Sequence, residues 1–423
     1  MIILLLSVFF LLALLRVPIG ISLALSAVAV FSLSDFNMLM IPQRIFASMD
    51  NTPLMAIPGF VLAGAILTRG GISKYLIECL ESYLGHIRGG LAVVTVLACT
   101  IFAAISGSSP ATAAAIGTIM IPALINAGYD KNYSMGLVAA GGTLGILIPP
   151  SVPLILYGVT AEQSIGKLFM AGVLPGLMMG LILIISALVV ARIRNYGGIR
   201  VYTWAERWKA TKKAFWGGLL PFIILGSIYM GVCTPTEAAV LSAVYALLVS
   251  VFVYKELKLK DIHPILRDSI NITSMVFLII GAAMLFALYL TNNQVPQKVA
   301  EWIVNHQFSQ LQFFVAVSIM YLIMGMFLES VSIILITVPI LLPIMSQLGV
   351  NPIHFGIVLT VNMELAMITP PVGLNLFVVT GVAKDRMENA IRGVMPFIVL
   401  LLIGLVLIIA LPKLSLYLPG LMK

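Results

Sequence analysis

Residues 119–158 read IMIPALINAGYDKNYSMGLVAAGGTLGILIPPSVPLILYG, and a shift of 221 positions lays them over residues 340–379, ILLPIMSQLGVNPIHFGIVLTVNMELAMITPPVGLNLFVV. In this register the pair Pro149–Pro150 falls on the pair Pro370–Pro371. The matches are prolines and glycines at constant spacing rather than leucine on leucine, so apolar composition alone does not explain them. The chain therefore contains an internal duplication in which both copies have one design.

Composition places both copies in a membrane. Only 9% of the 423 residues are charged and 61% are apolar, whereas soluble domains average about 25% and 45–50%. Several apolar runs approach the roughly 20 residues that a helix needs to cross the hydrocarbon layer. We therefore expect an all-α polytopic membrane protein. The composition excludes a nucleic-acid binder, a disordered chain and a disulfide-stapled secreted domain.

The basic residues predict the orientation of the helices. Residues 192–213 hold seven basic residues and one acidic residue, and short basic loops between spanning helices mark the cytoplasmic face. Threading the other helices from this anchor places 18 of the 24 Lys and Arg residues inside and five outside, and leaves Arg16 within the first apolar region. In that threading the two copies run in opposite directions. Such inverted repeats are typical of secondary transporters in which one part moves against another.

The duplication divides the chain into two repeats and a connector. We expect the first apolar stretch to be retained as a helix rather than cleaved as a signal, because no basic segment precedes it. The predicted parts are a first repeat at 1–191, with scaffold helices at 1–90, a hairpin at 91–127 and a broken helix at 132–158; a basic cytoplasmic connector at 192–213; and a second repeat at 214–423, with scaffold helices at 214–310, a hairpin at 312–348, a broken helix at 353–381 and a last helix at 394–412.

Each repeat has two places where a helix cannot continue. They are AISGSSPATA at 104–113 and ILIPPSVP at 146–153 in the first copy, and FLESVSII at 327–334 and MITPPVGLN at 367–375 in the second. The apolar arms beside AISGSSPATA are too short to cross the membrane comfortably, which predicts a re-entrant hairpin with its tip at mid-depth. Unwound backbone at that depth is tolerated only inside protein or beside a wet cavity, so the breaks predict a binding site.

The chemistry of the breaks suggests two kinds of ligand. Freed carbonyls and nearby hydroxyls suit a small hard cation such as sodium, and helix N-termini suit a carboxylate or phosphate. The alternative is that Pro and Gly merely kink packed helices while the serines and threonines cap helix ends. Among ionisable residues at membrane depth, Glu329 beside the second hairpin tip is the strongest functional candidate. Glu364 precedes the second double proline, and Glu237 lies at a helix start, where a capping role is the simpler explanation.

Several other classes of protein are excluded. The nucleotide-binding motif GxxxxGK[ST] does not occur, so the chain does not hydrolyse ATP. The GSSPA run has no histidine in neighbouring helices to act as its base, and neither HExxH nor a paired aspartate motif is present. The three cysteines and four histidines never fall in a metal-ligand pattern. We expect no enzyme activity, no cofactor and no metal other than sodium.

Four stretches resemble the large membrane subunit of TRAP transporters, of the DctM and SiaM type: GSSPATAAAIGTIMIPAL, GTLGILIPPSVPLILYG, GVCTPTEAAV and MITPPVGLN. The resemblance covers nearly the whole chain. It implies an elevator-type permease of the bacterial inner membrane that imports an organic acid with sodium as the coupling ion. It also implies two partners, a periplasmic substrate-binding protein and a small four-helix membrane subunit. We expect the small subunit to be a separate chain, because this sequence starts directly with the first large-subunit helix.

The resemblance also implies positions for the ligands. The implied sodium ligands of the first copy are Ser106, Gly107, Ser108, Ser109 and Gly145, and those of the second are Glu329, Ser330, Ser332, Thr369, Pro370 and Gly373. The second copy departs from the first at its tip, where Leu328 stands in place of glycine. Substrate is expected between the two tips, in contact with Thr112, Pro150, Ser151 and Asn375.

Alternatives remain open at this point. A self-sufficient, ion-coupled dicarboxylate symporter of related fold would work without a binding protein, and a channel would conduct at rates that no alternating-access cycle can match. The sequence does not identify the acid. The resemblance places sialic acid barely ahead of C4-dicarboxylates.

Overall fold

The computed structural model describes residues 2–15, 17–34 and 37–422, and these ranges form twenty α-helices and no strand. The helices are α1 (Ile2–Leu14), α2 (Ile19–Ser32), α3 (Met40–Met49), α4 (Ala56–Arg69), α5 (Ile72–Leu84), α6 (Gly90–Ser106), α7 (Ser109–Asn126), α8 (Lys131–Thr143), α9 (Val152–Thr160), α10 (Ile165–Ile193), α11 (Trp204–Tyr229), α12 (Pro235–Leu248), α13 (Leu259–Asn292), α14 (Val295–Asn305), α15 (Gln310–Gly325), α16 (Ser330–Leu348), α17 (Pro352–Ala366), α18 (Leu374–Ala383), α19 (Met387–Ala410) and α20 (Lys413–Gly420). Within these ranges, seven helices are long and apolar enough to cross a membrane. The expectation of an all-α polytopic membrane protein is confirmed.

The chain packs as two groups of helices. One group contains α2, α4, α12 and α13, with α11 against α5. The other contains α6 to α9 and α15 to α19. The two groups meet where α13 and α14 pack against α16 and where α4 and α5 pack against α6.

Within the second group the repeats cross over. The helix after each double proline packs against the hairpin of the other repeat: α9 lies against α16, and α18 lies against α7. Each repeat thus supplies a helix to the hairpin of the other, while α8 and α17 pack against the hairpins of their own repeats, so the interior is shared between the two copies.

Small residues allow the closest helix contacts. A Cβ built on Gly136 of α8 would lie 2.1 Å from the carbonyl oxygen of Gly393 on α19, so the two backbones touch. A Cβ built on Gly59 of α4 would lie 2.8 Å from the Cβ of Ala239 on α12. Glycine and alanine at such positions are typical of helix pairs in membranes, where close backbone packing replaces the hydrophobic effect.

The basic connector is shorter than its charge pattern suggests. Helix α10 continues to Ile193 and α11 begins at Trp204, so the non-helical part is residues 194–203. The start of α11 is set by a capping box, in which Glu206 accepts from the Thr203 amide over 2.8 Å and donates its own amide to the Thr203 hydroxyl over 3.4 Å. Satisfied amides at this end favour helix inside the region that the charge count assigned to a loop.

A second capping box explains Glu237. Its carboxylate accepts from the Thr234 amide over 2.7 Å, and its amide donates to the Thr234 hydroxyl over 3.3 Å. The glutamate thus caps the start of α12, which is the simpler of the two explanations.

An ion pair links α8 to the loop before α19. The Lys131 ammonium lies 3.0 Å from the Asp385 carboxylate and lowers the pKa of that carboxyl.

Candidate functional site

Four helices of the second group begin around one cavity, which lies between the two groups. The cavity has a volume of about 170 Å³, and it is lined by the first residue of each of α7, α9, α16 and α18. These residues are Ser109, Val152, Ser330 and Leu374. Each helix N-terminus carries partial positive charge and amide groups without intrahelical partners. Four such ends around one space form an environment that attracts a carboxylate.

The tip of the first hairpin is a two-residue break between α6 and α7. Gly107 has a positive φ of 61° and Ser108 is extended, so the chain turns here after the Gly107 amide has made the last helical bond of α6, to the Ala103 carbonyl over 3.1 Å. A Cβ built on Gly107 would lie 2.7 Å from the carbonyl oxygen of Pro150. Only glycine lets the tip rest directly on the double proline of the first broken helix.

Beside this tip lies a cluster of oxygen atoms. The hydroxyls of Ser106 and Thr112 are 2.7 Å apart, and the Thr112 hydroxyl donates to the Ser108 carbonyl over 2.9 Å. The backbone of Gly145 closes the cluster, because a Cβ there would lie 2.5 Å from the Ser108 carbonyl oxygen and 2.8 Å from the Thr112 hydroxyl. Hydroxyl and carbonyl oxygens gathered in this way are the ligand type that hard cations prefer.

Ser109 belongs to a different contact. Its hydroxyl lies 2.8 Å from the side-chain nitrogen of Asn375, which also donates to the Ala139 carbonyl over 2.9 Å. Both Ser109 and Asn375 are fully buried. The structure therefore separates Ser109 from the oxygen cluster around Ser106 and directs it to the second repeat.

The tip of the second hairpin carries the only acidic residue that lines the cavity in the described part of the chain. Glu329 immediately precedes α16, and it also lines an adjoining cavity of about 360 Å³ together with Ser330 and Gly373. Ser332 lies two residues further into α16, where its hydroxyl is buried and has no hydrogen-bond partner among the described residues. Glu329 and Ser330 thus line the cavities, and Ser332 lies behind them.

The second broken helix supplies a compact loop between α17 and α18. The Thr369 hydroxyl donates to the Leu365 carbonyl over 2.6 Å, and the Asn375 amide donates to the Met367 carbonyl over 3.0 Å, so the loop is tied at both ends. Gly373 has a positive φ of 51°, and a Cβ there would lie 3.1 Å from the Thr369 carbonyl oxygen. Thr369 and Gly373 therefore lie together, with Pro370 in the loop between them.

The four residues expected to touch substrate lie behind the cavity wall. Thr112, Pro150, Ser151 and Asn375 are buried and are not among the residues that line either cavity. Ser151 instead donates its hydroxyl to the Ile146 carbonyl and caps the start of α9. In this conformation these four residues lie behind the residues that line the cavity.

Part of the cavity wall comes from helices that sequence reasoning did not assign to the site. Gly64 and Thr68 of α4 line it, as do Ile272 and Val276 of α13. A Cβ on Gly64 would lie 3.4 Å from the Ser106 carbonyl oxygen, so α4 lies directly against the first hairpin tip. The run of three small residues Ala63, Gly64 and Ala65 in α4 is the signal that could have indicated this close approach.

Solved structures show what kind of fold surrounds this cavity. The YdaH transporter of Alcanivorax borkumensis superimposes with a TM-score of 0.66 over 89% of this chain and 88% of that chain, at 14% sequence identity. With seven apolar helices of spanning length in the described residues, this likeness defines a multi-pass membrane protein with the fold of a transporter.

The family follows from the sequence. The profile of the family described as "Tripartite ATP-independent periplasmic transporter, DctM component" matches residues 6–414. The C4-dicarboxylate TRAP transporter large permease protein DctM of Pseudomonas aeruginosa is 44% identical over 400 residues, 94% of each chain. The sialic acid TRAP transporter large permease protein SiaM of Vibrio cholerae is 35% identical over 405 residues, 96% of this chain and 95% of that protein. The chain belongs to this family of TRAP transporter large permeases and, like these relatives, is a transport protein rather than an enzyme.

Proposed function

We propose that the chain is the large permease subunit of a TRAP transporter that imports an organic acid of the C4-dicarboxylate class together with sodium. The observation that carries the proposal is the convergence of four helix N-termini, two from each repeat, on one cavity at the hairpin tips. Such ends stabilise carboxylate groups without a fixed positive side chain. Partial charges bind an anion less tightly than a full positive charge would, and this suits a substrate that must be released.

Sodium coupling is supported by the oxygen cluster at the first tip. Ser106, Ser108 and Thr112 supply two hydroxyls and a carbonyl, and the close approach of Gly145 brings the broken helix against them. On the second side we assign the sodium ligands to Glu329, Ser330, Ser332, Thr369, Pro370 and Gly373. A sodium ion near each tip would offset the negative charge of a diacid in a medium of low dielectric constant.

Similarity to the relatives favours a C4-dicarboxylate over sialic acid. Identity is higher to the C4-dicarboxylate relative, at 44%, than to the sialic acid relative, at 35%. This reverses the slight preference that the resemblance alone suggested.

The mechanism that we propose is an elevator movement. The hairpins and broken helices form one packed group, with α10 against it, that meets α4, α5, α13 and α14. Sliding this group past those helices would carry the cavity from one side of the membrane to the other, in the way that repeat-based transporters alternate access. We place the chain in the bacterial inner membrane, with a small four-helix membrane subunit and a periplasmic binding protein as its partners.

Uptake by liposomes that contain the purified permease and its small subunit tests the proposal. With binding protein and radiolabelled C4-dicarboxylate outside, uptake should require an inward sodium gradient and all three components. Uptake that persisted without sodium would exclude the coupling. Uptake that persisted without the binding protein would favour the self-sufficient symporter, and single-channel currents would favour a channel.

A further inference from the structure

One acidic side chain in the interior has no partner. Glu364 lies in the last turn of α17 and is fully buried, and neither carboxyl oxygen has a hydrogen-bond partner among the described residues. No ion pair involving it occurs in that part of the chain. The matching residue of the first repeat, Thr143, is neutral and donates its hydroxyl to the Ala140 carbonyl over 2.7 Å. The second repeat thus has an acid where the first has a satisfied hydroxyl.

The position of Glu364 on its helix shows which elements it faces. Asn362 donates to the Ser318 hydroxyl of α15 over 3.2 Å, and a Cβ on Gly325 of α15 would lie 2.2 Å from the Cβ of Ala366. Both Asn362 and Ala366 therefore lie on the α15 side. Two residues along a helix correspond to a rotation of about 200°, so Glu364 lies on the side of α17 away from α15, toward the other elements that pack against this helix.

No cation is available to neutralise the carboxylate. The elements packed against α17 are α9, α10, α15, α16, α19, α20 and the short 3₁₀ turn at Leu144–Ile146. Their titratable residues are Lys167 and Arg192 on α10, Glu388 and Arg392 on α19, Tyr157 on α9, Tyr321 on α15, Lys413 and Tyr417 on α20, and, beside them, His354 on α17 itself and Glu329 before α16. The Lys and Arg residues all lie within the first or last two turns of their helices. His354 is ten residues earlier, about 15 Å along α17, and its Nδ1 bonds the Ser415 hydroxyl.

An isolated, ionised carboxylate in such an interior is too costly to persist, and in proteins the group takes up a proton instead. Sodium is the rival occupant, but it needs several oxygen ligands. The nearest unpaired acceptor along the helix, Asn362 Oδ1, belongs to a side chain on the opposite face. We propose that Glu364 is a proton-binding site: it takes a proton from water, holds it while buried, and returns it to water when the loop at 367–373 opens during transport.

This inference goes beyond sodium-coupled uptake and has a readout that does not need transport. Infrared spectra of the purified permease in detergent report protonated carboxyl groups directly. We expect the wild-type protein to show a protonated-carboxyl band at neutral pH that is lost in Glu364→Gln and retained in Glu329→Gln and Glu388→Gln. Glu388 is the matched control because it is an exposed carboxyl on α19. Identical carboxyl bands in wild type and Glu364→Gln would overturn the proposal.

Uptake at equal pH on both sides of the liposome, with the sodium gradient held constant, supplies the second test. The wild-type rate should depend on pH, Glu364→Gln should lose that dependence, and Glu364→Asp should keep it with a displaced midpoint. An unchanged pH profile in Glu364→Gln contradicts the proposal. If the same variant also needs more sodium for half-saturation, Glu364 is a sodium ligand instead. If Glu364→Gln does not fold, Glu364→Asp replaces it in the infrared test. A carboxyl band in Glu364→Asp at the wild-type frequency would show that the band does not come from residue 364, and this would overturn the proposal.

Discussion

Asn375 and Ser109 lie 266 positions apart in the chain, and the side-chain nitrogen of Asn375 donates to the hydroxyl of Ser109 over 2.8 Å. The same nitrogen donates to the Ala139 carbonyl over 2.9 Å. One amide of the second repeat therefore joins the start of α7 to the middle of α8, both in the first repeat. Because all of these groups are buried, the bond is made where water cannot replace it.

Replacing Asn375 with leucine, the residue found at the matching position 154, should destabilise the protein. The substitution leaves the buried Ser109 hydroxyl without its partner and removes the side-chain bond to the Ala139 carbonyl, which costs about 1–3 kcal/mol. Thermal unfolding in detergent measures the loss. A double-mutant cycle with Ser109→Ala should show coupling between the two sites, and strictly additive effects would mean that the bond contributes nothing.

Thr112→Val should weaken sodium dependence while preserving shape. The variant removes the hydroxyl that lies between Ser106 and the Ser108 carbonyl. We expect the sodium concentration for half-maximal uptake to rise about tenfold, which corresponds to about 1.4 kcal/mol. Thr118→Val, on the same helix, is the control, because its hydroxyl bonds only the Ala115 carbonyl in the described structure. Equal sodium curves for the two variants would refute the assignment of the first cluster.

Gly145→Ala should impair both stability and uptake. The added methyl would lie 2.5 Å from the Ser108 carbonyl oxygen, so the hairpin tip must move away from the broken helix. Overpacking of this kind costs about 1–3 kcal/mol. Gly381→Ala on α18 is the matched control, since a Cβ there meets nothing within 4 Å. The unfolding temperature and the uptake rate of the two variants test this difference. If Gly145→Ala matched Gly381→Ala in both measurements, the hairpin tip would tolerate displacement and the prediction would be wrong.

The elevator movement predicts that one disulfide should stop transport. A Cβ on Gly64 of α4 would lie 3.8 Å from the Cβ of Ser106 at the first hairpin tip, a separation typical of disulfides. In a background without the native cysteines, oxidation of Gly64→Cys/Ser106→Cys should abolish uptake, and reduction should restore the level of the unoxidised double variant. Each single variant, oxidised in the same way, controls for damage. Full uptake by the crosslinked protein would exclude movement of the tip past α4.

Local chemistry explains why much of this architecture could be predicted from sequence. The helix is interrupted between α6 and α7 because Gly107 adopts a left-handed conformation and Pro110 has no amide hydrogen to continue the helical bonding. The all-α class and the family were confirmed for the same reason, since apolar content and the Gly-Pro blocks are local properties. The inverted orientation, the elevator movement and the ion ligands remain predictions.

What the sequence did not reveal depends on distant partners. The isolation of Glu364 is a property of the elements around α17 rather than of α17, and no local pattern distinguishes it from a paired acid. The same holds for the cavity wall on α4 and α13, whose apolar residues look like any lipid-facing or core positions. The resemblance placed Thr112 and Asn375 against substrate, and that role remains a prediction. In this structure both are buried, Thr112 bonded within the oxygen cluster and Asn375 to Ser109 and Ala139.

The crossover of α9 onto α16 and of α18 onto α7 has an evolutionary consequence. A single-copy ancestor of either half would have lacked the helix that packs against its hairpin and would have needed a second molecule to supply it. Fragments separated within residues 194–203 should accordingly co-purify when expressed together, whereas each produced by itself should be degraded.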